Sequence, residues 1–208
     1  MDSIAFVKHT HDLASITPRD ILVTSAAAIT VAILLKVFVL GAFMIPSHSM
    51  ENTLLPGDYI IVNKLASWMA TIERGDVIVF TLPDSMDAAG ASGTPFIKRV
   101  IGLGGDTVRL ASTGIFVNGW RVPDPPRSAS AYALSHDPLS KTVTVVVPDG
   151  YYYVLGDNRS NSWDSRYWGC LPGDCLEGLP LVVYYSYGTT ATDSIPHIRW
   201  DRMMERIR

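Results

Sequence analysis

The chain has 208 residues, 48% of them apolar, and a formal net charge of −3; its mean hydropathy is +0.20. That length suits one modest domain plus an anchor, and the hydropathy is high for a soluble protein but low for a multi-pass one. A slightly acidic chain offers no global basic field, so no nucleic-acid partner is expected.

In chain order, residues 1–17 form an N-terminal tail. Residues 21–35, "ILVTSAAAITVAILL", carry no charge, Lys36 follows, and "VFVLGAFMI" runs to residue 45. A bilayer crossing needs about 20 residues, with a lower bound of about 17, and Lys36 can snorkel to extend the span. The pattern predicts one transmembrane helix over 18–37, with 38–46 leaving it as extended chain. The competing reading is a cleaved signal peptide, whose apolar core is about 7–15 residues long. The anchor is preferred because the segment just after it carries candidate chemistry that needs to stay near the bilayer.

Beyond the anchor the period changes. "YIIVNK" (59–64), "DVIVFTL" (76–82), "FIKRVIGL" (96–103), "IFVNGWRV" (115–122), "TVTVVVP" (142–148), "YYYVLGD" (151–157) and "LVVYYSY" (181–187) read as strands. Asn118-Gly119 between apolar runs signals a hairpin. No long amphipathic helix is expected from 40 to 190, and the fold class is mainly β with antiparallel strands. Residues 38–106 and 151–190 read as one β domain, 107–150 as a small β insertion or cap, and 191–208 as a tail with at most a short helix. Loops 84–95 and 123–141 read as linkers. Cys170 and Cys175 in "GCLPGDC" lack the second ligand pair of a zinc site, so no metal is expected. They are either a local disulfide, if the domain faces an oxidising compartment, or two unpaired thiols.

The chemistry centres on "IPSHSM", where Ser47 and Ser49 stand one residue apart. A hydroxyl is a poor nucleophile until a base takes its proton. Of five histidines, His9 and His11 precede the anchor, and His136 and His197 lie in polar loop or tail contexts. His48 is adjacent to Ser49 and in extended chain points away from it. No G-x-S-x-G elbow is present. Lysine is the alternative base, provided that burial lowers its pKa from about 10.4. Lys98 in "FIKRVIGL" fits, with Phe96 and Val100 on its face of the strand; Lys64, in a loop context, is the rival.

Three further segments accompany these residues: "RGDVIVF" (74–80), "IKRVIGLGGD" (97–106) and "GDNRSNSWDSRYWG" (156–169). Together with "IPSHSM" they resemble, in order and spacing, the type I signal peptidases, the Ser-Lys family that removes secretory signal peptides. The resemblance covers about residues 20–187. It implies a signal-peptidase-like antiparallel β domain with Ser49 as nucleophile and Lys98 as general base. Ser47 then matches an oxyanion donor beside the Ser49 backbone N–H, and Ser162 a serine that hydrogen-bonds and orients the lysine. Asp157, Asp164 and Arg166, with Arg99, match charge pairs beneath the site. Substrate pockets are expected near Ile45, Pro46, Met50, Phe96 and Ile97. The implied partners are preprotein signal peptides and the lipid bilayer, with no cofactor. The implied location is a bacterial inner membrane, single-pass, with the catalytic domain on the extracytoplasmic side. Asn52, His48, Ser160 and Trp163 depart from the family pattern without touching the matched nucleophile or base.

Two kinds of alternative stand beside this reading. One is a specialised Ser-Lys processing peptidase, for conjugative pilin maturation or in an organelle; a self-cleaving repressor would need a DNA-binding domain where this chain has an anchor. The other is a catalytically dead, membrane-tethered β module that binds exported peptides.

Overall fold

The computed structural model describes residues 17–51, 53–86, 93–111, 113–123, 142–189 and 195–207. His9, His11, Asn52 and His136 lie outside them. The described chain starts with helix α1, Pro18–Leu34, which passes directly into a π-helix, Leu35–Val39. Strand β1 (Leu40–Met44) then begins, two residues later than the expected switch to extended chain. The helix expected over 18–37 is thus an α-helix and a π-helix in series. Among the described residues no helix is long and apolar enough to cross a membrane.

The expected strands follow as β2 (Asp58–Asn63), β3 (Val77–Thr81), β4 (Pro95–Leu103), β5 (Thr107–Ala111), β6 (Gly114–Val117), β7 (Trp120–Arg121), β8 (Val143–Val146) and β9 (Tyr151–Leu155). After β9 come β10 (Leu171–Pro172), β11 (Leu176–Gly188) and β12 (His197–Ile198), with two one-turn helices, α2 (Ala66–Met69) and α3 (Ser165–Trp168). The larger sheet has the order β1-β2-β11-β3-β4-β9-β10, with β12 paired to β11; the smaller has the order β7-β6-β5-β8. Neighbouring strands are antiparallel throughout. Asn118 and Gly119 both have positive φ, 53° and 86°, the backbone of the tight turn that joins β6 to β7 and that Asn-Gly accommodates at least cost.

Burial follows the period of each strand. The side chains of β2 alternate between buried and half-buried, as on a sheet with one covered face. In β3 and in residues 97–102 of β4 nearly every residue is buried, because these central stretches are covered on both sides. Ile45, Met50, Leu54, Ile60, Val79 and Ile97 form one core cluster. Ile78, Phe80, Val100, Val154 and Leu171 form a second. Ile101, Tyr153 and Leu155 join Val108, Leu110 and Ile115 of the smaller sheet in a third, so apolar burial on β4 and β9 fixes one sheet against the other.

Two readings need correction. Strand β11 starts at Leu176, five residues before the expected strand. Gly178 and Pro180 conceal its beginning, since both are usually punctuation; here they sit beside register shifts in the pairing with β3 and β2, where a strand tolerates them. The C-terminal segment is more than a tail. Arg199 and Arg202, both buried, converge on Asp58: Arg202 donates to its carboxylate through Nη2 at 2.7 Å, and Arg199 Nη2 lies 3.4 Å from it. Ser186 Oγ donates to the same group at 2.6 Å. Cys170 and Cys175 are free thiols packed against different clusters, and burial raises the pKa of each.

Candidate active site

Residues 46–57 loop out of the sheet between β1 and β2. The loop is closed at its neck by Ile45 N–H to Asp58 O and Gly57 N–H to Ile45 O. Met50 and Leu54 are fully buried, and Thr53 and Leu54 N–H both donate to Met50 O. The apolar plug and the single helical turn hold the backbone before them. From the other side, Asn158 N–H donates to Ser49 O at 3.1 Å, and Asn158 Nδ2 donates to His48 O at 3.1 Å. Ser49 is thereby gripped by the loop that follows β9, a role of Asn158 that the sequence reading missed.

Lys98 reaches this serine from β4. Its Nζ donates to Ser49 Oγ at 2.7 Å and to Ile97 O at 2.9 Å. Lys98 is 3% exposed and Ser49 8%. Burial pushes the Lys98 pKa down from its ordinary value to about 8, against Asp164 and Asp157, which raise it, with Arg166 adding to the fall. A neutral amine at hydrogen-bond distance from a hydroxyl can accept its proton. At pH 7 about a tenth of such lysines are neutral, and at pH 9 about nine tenths. If Lys98 is the base, kcat/KM should therefore climb close to tenfold per pH unit below about pH 7 and level off above about pH 9. A flat or falling profile between about pH 6 and 8.5 would count against a lysine base. Lys64, the rival, lines a separate cavity with Phe38 and Trp68.

Ser47 Oγ lies 3.3 Å from Ser49 Oγ. The two hydroxyls meet because residues 47–51 form a bend and turn. Between them, His48 turns outward, its Nδ1 3.3 Å from Glu51 Oε2.

The charged residues form two adjacent clamps. Arg99 holds Asp157 with two parallel bonds, Nε to Oδ1 at 2.8 Å and Nη2 to Oδ2 at 2.7 Å, and donates from Nη1 to Gly75 O. Thr53 Oγ1 donates to the same aspartate at 2.5 Å, which ties the serine loop to the clamp and was not foreseen. Arg166 holds Asp164 in the same two-bond manner, and Asp164 also accepts from Gly156 N–H at 3.0 Å. Such paired, planar contacts fix geometry as well as charge.

The hydrogen bond expected from Ser162 to Lys98 is not formed. Ser162 Oγ is buried and has no hydrogen-bond partner among the described residues; it presses against Gly156, where an added Cβ would come 2.2 Å from that oxygen and 2.5 Å from Ser49 O. The Ser162 Cβ would also lie within 2.6 Å, and neither it nor the Ser49 carbonyl can rotate away. Gly156→Ala should therefore displace Ser49. Since misplacement by about 1 Å can cost about 100-fold, kcat/KM should fall on that order while far-ultraviolet circular dichroism stays unchanged. Near-wild-type turnover would show that the loop yields without moving the serine.

Beside the pair lies a cavity of about 260 Å³ lined by Ile45, Pro46, Ser47, Phe96, Ile97 and Lys98, among others. Four of the five expected pocket residues are there. Met50 is not: its side chain is fully buried in the core cluster with Leu54 and Ile60, where it anchors the turn instead. Residues 95–98 of β4 pair with β3, whereas the pairing of β4 with β9 begins only at Arg99. Among the described strands, that edge of β4 is open beside the cavity. No group of three or more potential metal ligands occurs among the described residues.

The family model for signal peptidase, peptidase S26, matches residues 19–185. A probable signal peptidase I-2 of Synechocystis sp. (strain ATCC 27184 / PCC 6803 / Kazusa) is 40% identical over 162 residues, spanning 78% of this chain and 71% of its own. Signal peptidase I of Aquifex aeolicus (strain VF5) is 33% identical over 212 residues, 76% of this chain and 80% of its own. Signal peptidase I S of Bacillus subtilis (strain 168) is 32% identical over 165 residues, 77% and 85% respectively. By the extent of the family match and the identity of these relatives, the chain belongs to the signal peptidase family, peptidase S26.

Proposed function

We propose that the protein is a membrane-anchored serine endopeptidase that removes signal peptides from exported preproteins, with Ser49 as nucleophile and Lys98 as general base. The observation that carries the reading is the 2.7 Å contact between a buried lysine amine and a buried serine hydroxyl. Neutral Lys98 takes the Ser49 proton as Oγ bonds to the scissile carbonyl carbon. The carbonyl oxygen becomes an oxyanion facing the Ser47 hydroxyl and the Ser49 N–H, donors of the kind worth about 100- to 1000-fold each in turnover. The Lys98 ammonium then protonates the leaving amine. Water, deprotonated by the same lysine, cleaves the acyl-enzyme and restores Ser49. The substrate binds as an extended strand along the open edge of β4, with small side chains entering the cavity lined by Ile45, Pro46, Phe96 and Ile97.

The anchor is α1 with its π-helical continuation, as part of the same proposal. α1 has no buried residue, and Ile21, Leu22, Val23, Ile29, Val31 and Ile33 are all exposed, as expected of a helix whose surroundings are lipid. At 1.5 Å per residue it is about 26 Å long, slightly less than the ~30 Å hydrocarbon layer, and residues 35–39 supply the remainder. The domain division at 107 and 150, and an extracytoplasmic catalytic domain on a bacterial inner membrane, belong to the same proposal. Purified protein with a fluorogenic preprotein peptide tests it: the wild type should cleave, and Ser49→Ala should lose about 10⁴-fold or more. Wild-type rates in Ser49→Ala would refute the assignment.

A further inference from the structure

Along β4 the side chains of Phe96 and Lys98 lie on one side of the strand and that of Ile97 on the other. Ile45, Ile60, Val79 and Ile97, which line the cavity together with Ser47 and Lys98, all belong to the first core cluster. Phe96 and Trp163 pack against the second. The open edge at residues 95–98 therefore divides two apolar surfaces, and Phe96 borders both. The second surface is aromatic. The Phe96 ring stacks on that of Phe80, with centroids 6.0 Å apart and planes at 20°, and the Trp163 ring tilts against Phe96 at 6.0 Å and 51°. Phe80 is fully buried, whereas Phe96 and Trp163 are half-buried and retain exposed surface.

This surface adjoins the reacting pair. Lys98 Nζ lies 5.9 Å from the centre of the Phe96 ring. Ser162, which precedes Trp163, borders the same glycine as the Ser49 carbonyl, Gly156. A substrate strand on the edge of β4 places successive side chains on alternate sides. With the side chains one and three residues before the scissile bond (−1 and −3) in the cavity, the side chain at −2 points towards Phe96 and Trp163. Resting on the proposed function, we infer that Trp163 forms with Phe96 an aromatic shelf that receives the substrate side chain at −2 and favours a large apolar or aromatic one there. The cavity then selects by small size on one side of the substrate strand, and Trp163 selects by apolar contact on the other.

The test uses the full-length protein and paired peptides that are identical except at −2, where one carries Phe and the other Ser. The Phe peptide should have a kcat/KM about fivefold higher, the scale of one good aromatic contact. The ratio should fall towards one in Trp163→Ala and be largely kept in Trp163→Phe, which restores an aromatic ring. Trp68→Ala should also keep it, because Trp68 lines a separate cavity with Lys64. Equal kcat/KM for the two peptides in the wild type overturns the inference, whether or not the alanine variant folds. So does an unchanged ratio in Trp163→Ala, since a merely structural tryptophan would lower both rates together. Loss of the ratio in Trp68→Ala overturns it as well, by assigning the preference to surface hydrophobicity in general. Failure of the wild type to cleave either peptide sinks the peptidase reading instead.

Discussion

Lys98→Met should abolish turnover and make the protein more stable. Removing the base of a Ser-Lys pair leaves an unactivated hydroxyl, a loss of about 10⁴-fold or more in kcat/KM. The stability effect has the opposite sign. The folded pKa is held near 8 against an ordinary 10.5, chiefly by burial, so the folded state binds the lysine proton less readily than the unfolded state. Below about pH 8 the fold carries the full cost of a buried ammonium. The cost falls as pH rises from 8 and is gone above the unfolded value. Methionine fills similar space without the charge. At pH 7 the variant should gain on the order of 3 kcal/mol, raising Tm by about 6–12 °C for a chain of this size, and the advantage should disappear near pH 10.5. Thermal unfolding of both proteins from pH 6 to 10.5 measures it. A variant less stable than the wild type at pH 7 would show that the bonds from Nζ to Ser49 Oγ and Ile97 O outweigh burial.

The second large effect lies at Asp58. This carboxylate is fully buried and accepts from Leu55 N–H, Ser186 Oγ, Arg199 and Arg202. Asp58→Asn keeps the shape and leaves two buried guanidinium groups around a neutral amide. Removing one partner of a buried ion pair typically costs about 3–5 kcal/mol, so Tm should fall by about 6–20 °C. Because Arg202 Nη2 also donates to Thr53 O and Arg199 Nη2 to Pro56 O, the serine loop should loosen at the same time. Activity should then decline at temperatures well below the unfolding midpoint. A Tm within 2 °C of the wild type would mean that the backbone carbonyls alone hold the arginines.

Periodicity made most strands legible. "VIVF" and "FIKRVIGL" announce central strands through unbroken apolar runs, and Asn118-Gly119 announces its hairpin. The site was legible as a pairing of residue types: a serine in a proline-led turn and a lysine among apolar neighbours are chemically meaningful only together. Other features resisted reading because they depend on contacts between residues far apart in the chain. Nothing local in "GDYIIV" or "WDRMMERIR" reveals that Asp58 and Arg202 meet, 144 positions apart. Thr53 and Asn158 have ordinary turn chemistry, and their partners Asp157 and Ser49 come into reach only when β9 docks beside β4. Met50 was expected near the substrate pockets, but the turn points its side chain inward.

The embrace of Asp58 by Arg199 and Arg202 also bears on biosynthesis. The loop bearing Ser49 emerges early from the ribosome, whereas the arginines that brace it are made some 140 residues later. A nascent or prematurely terminated chain would hold the reactive hydroxyl in an unbraced loop. The loop would therefore be fully braced only once residues 199–202 have been made and have docked on Asp58.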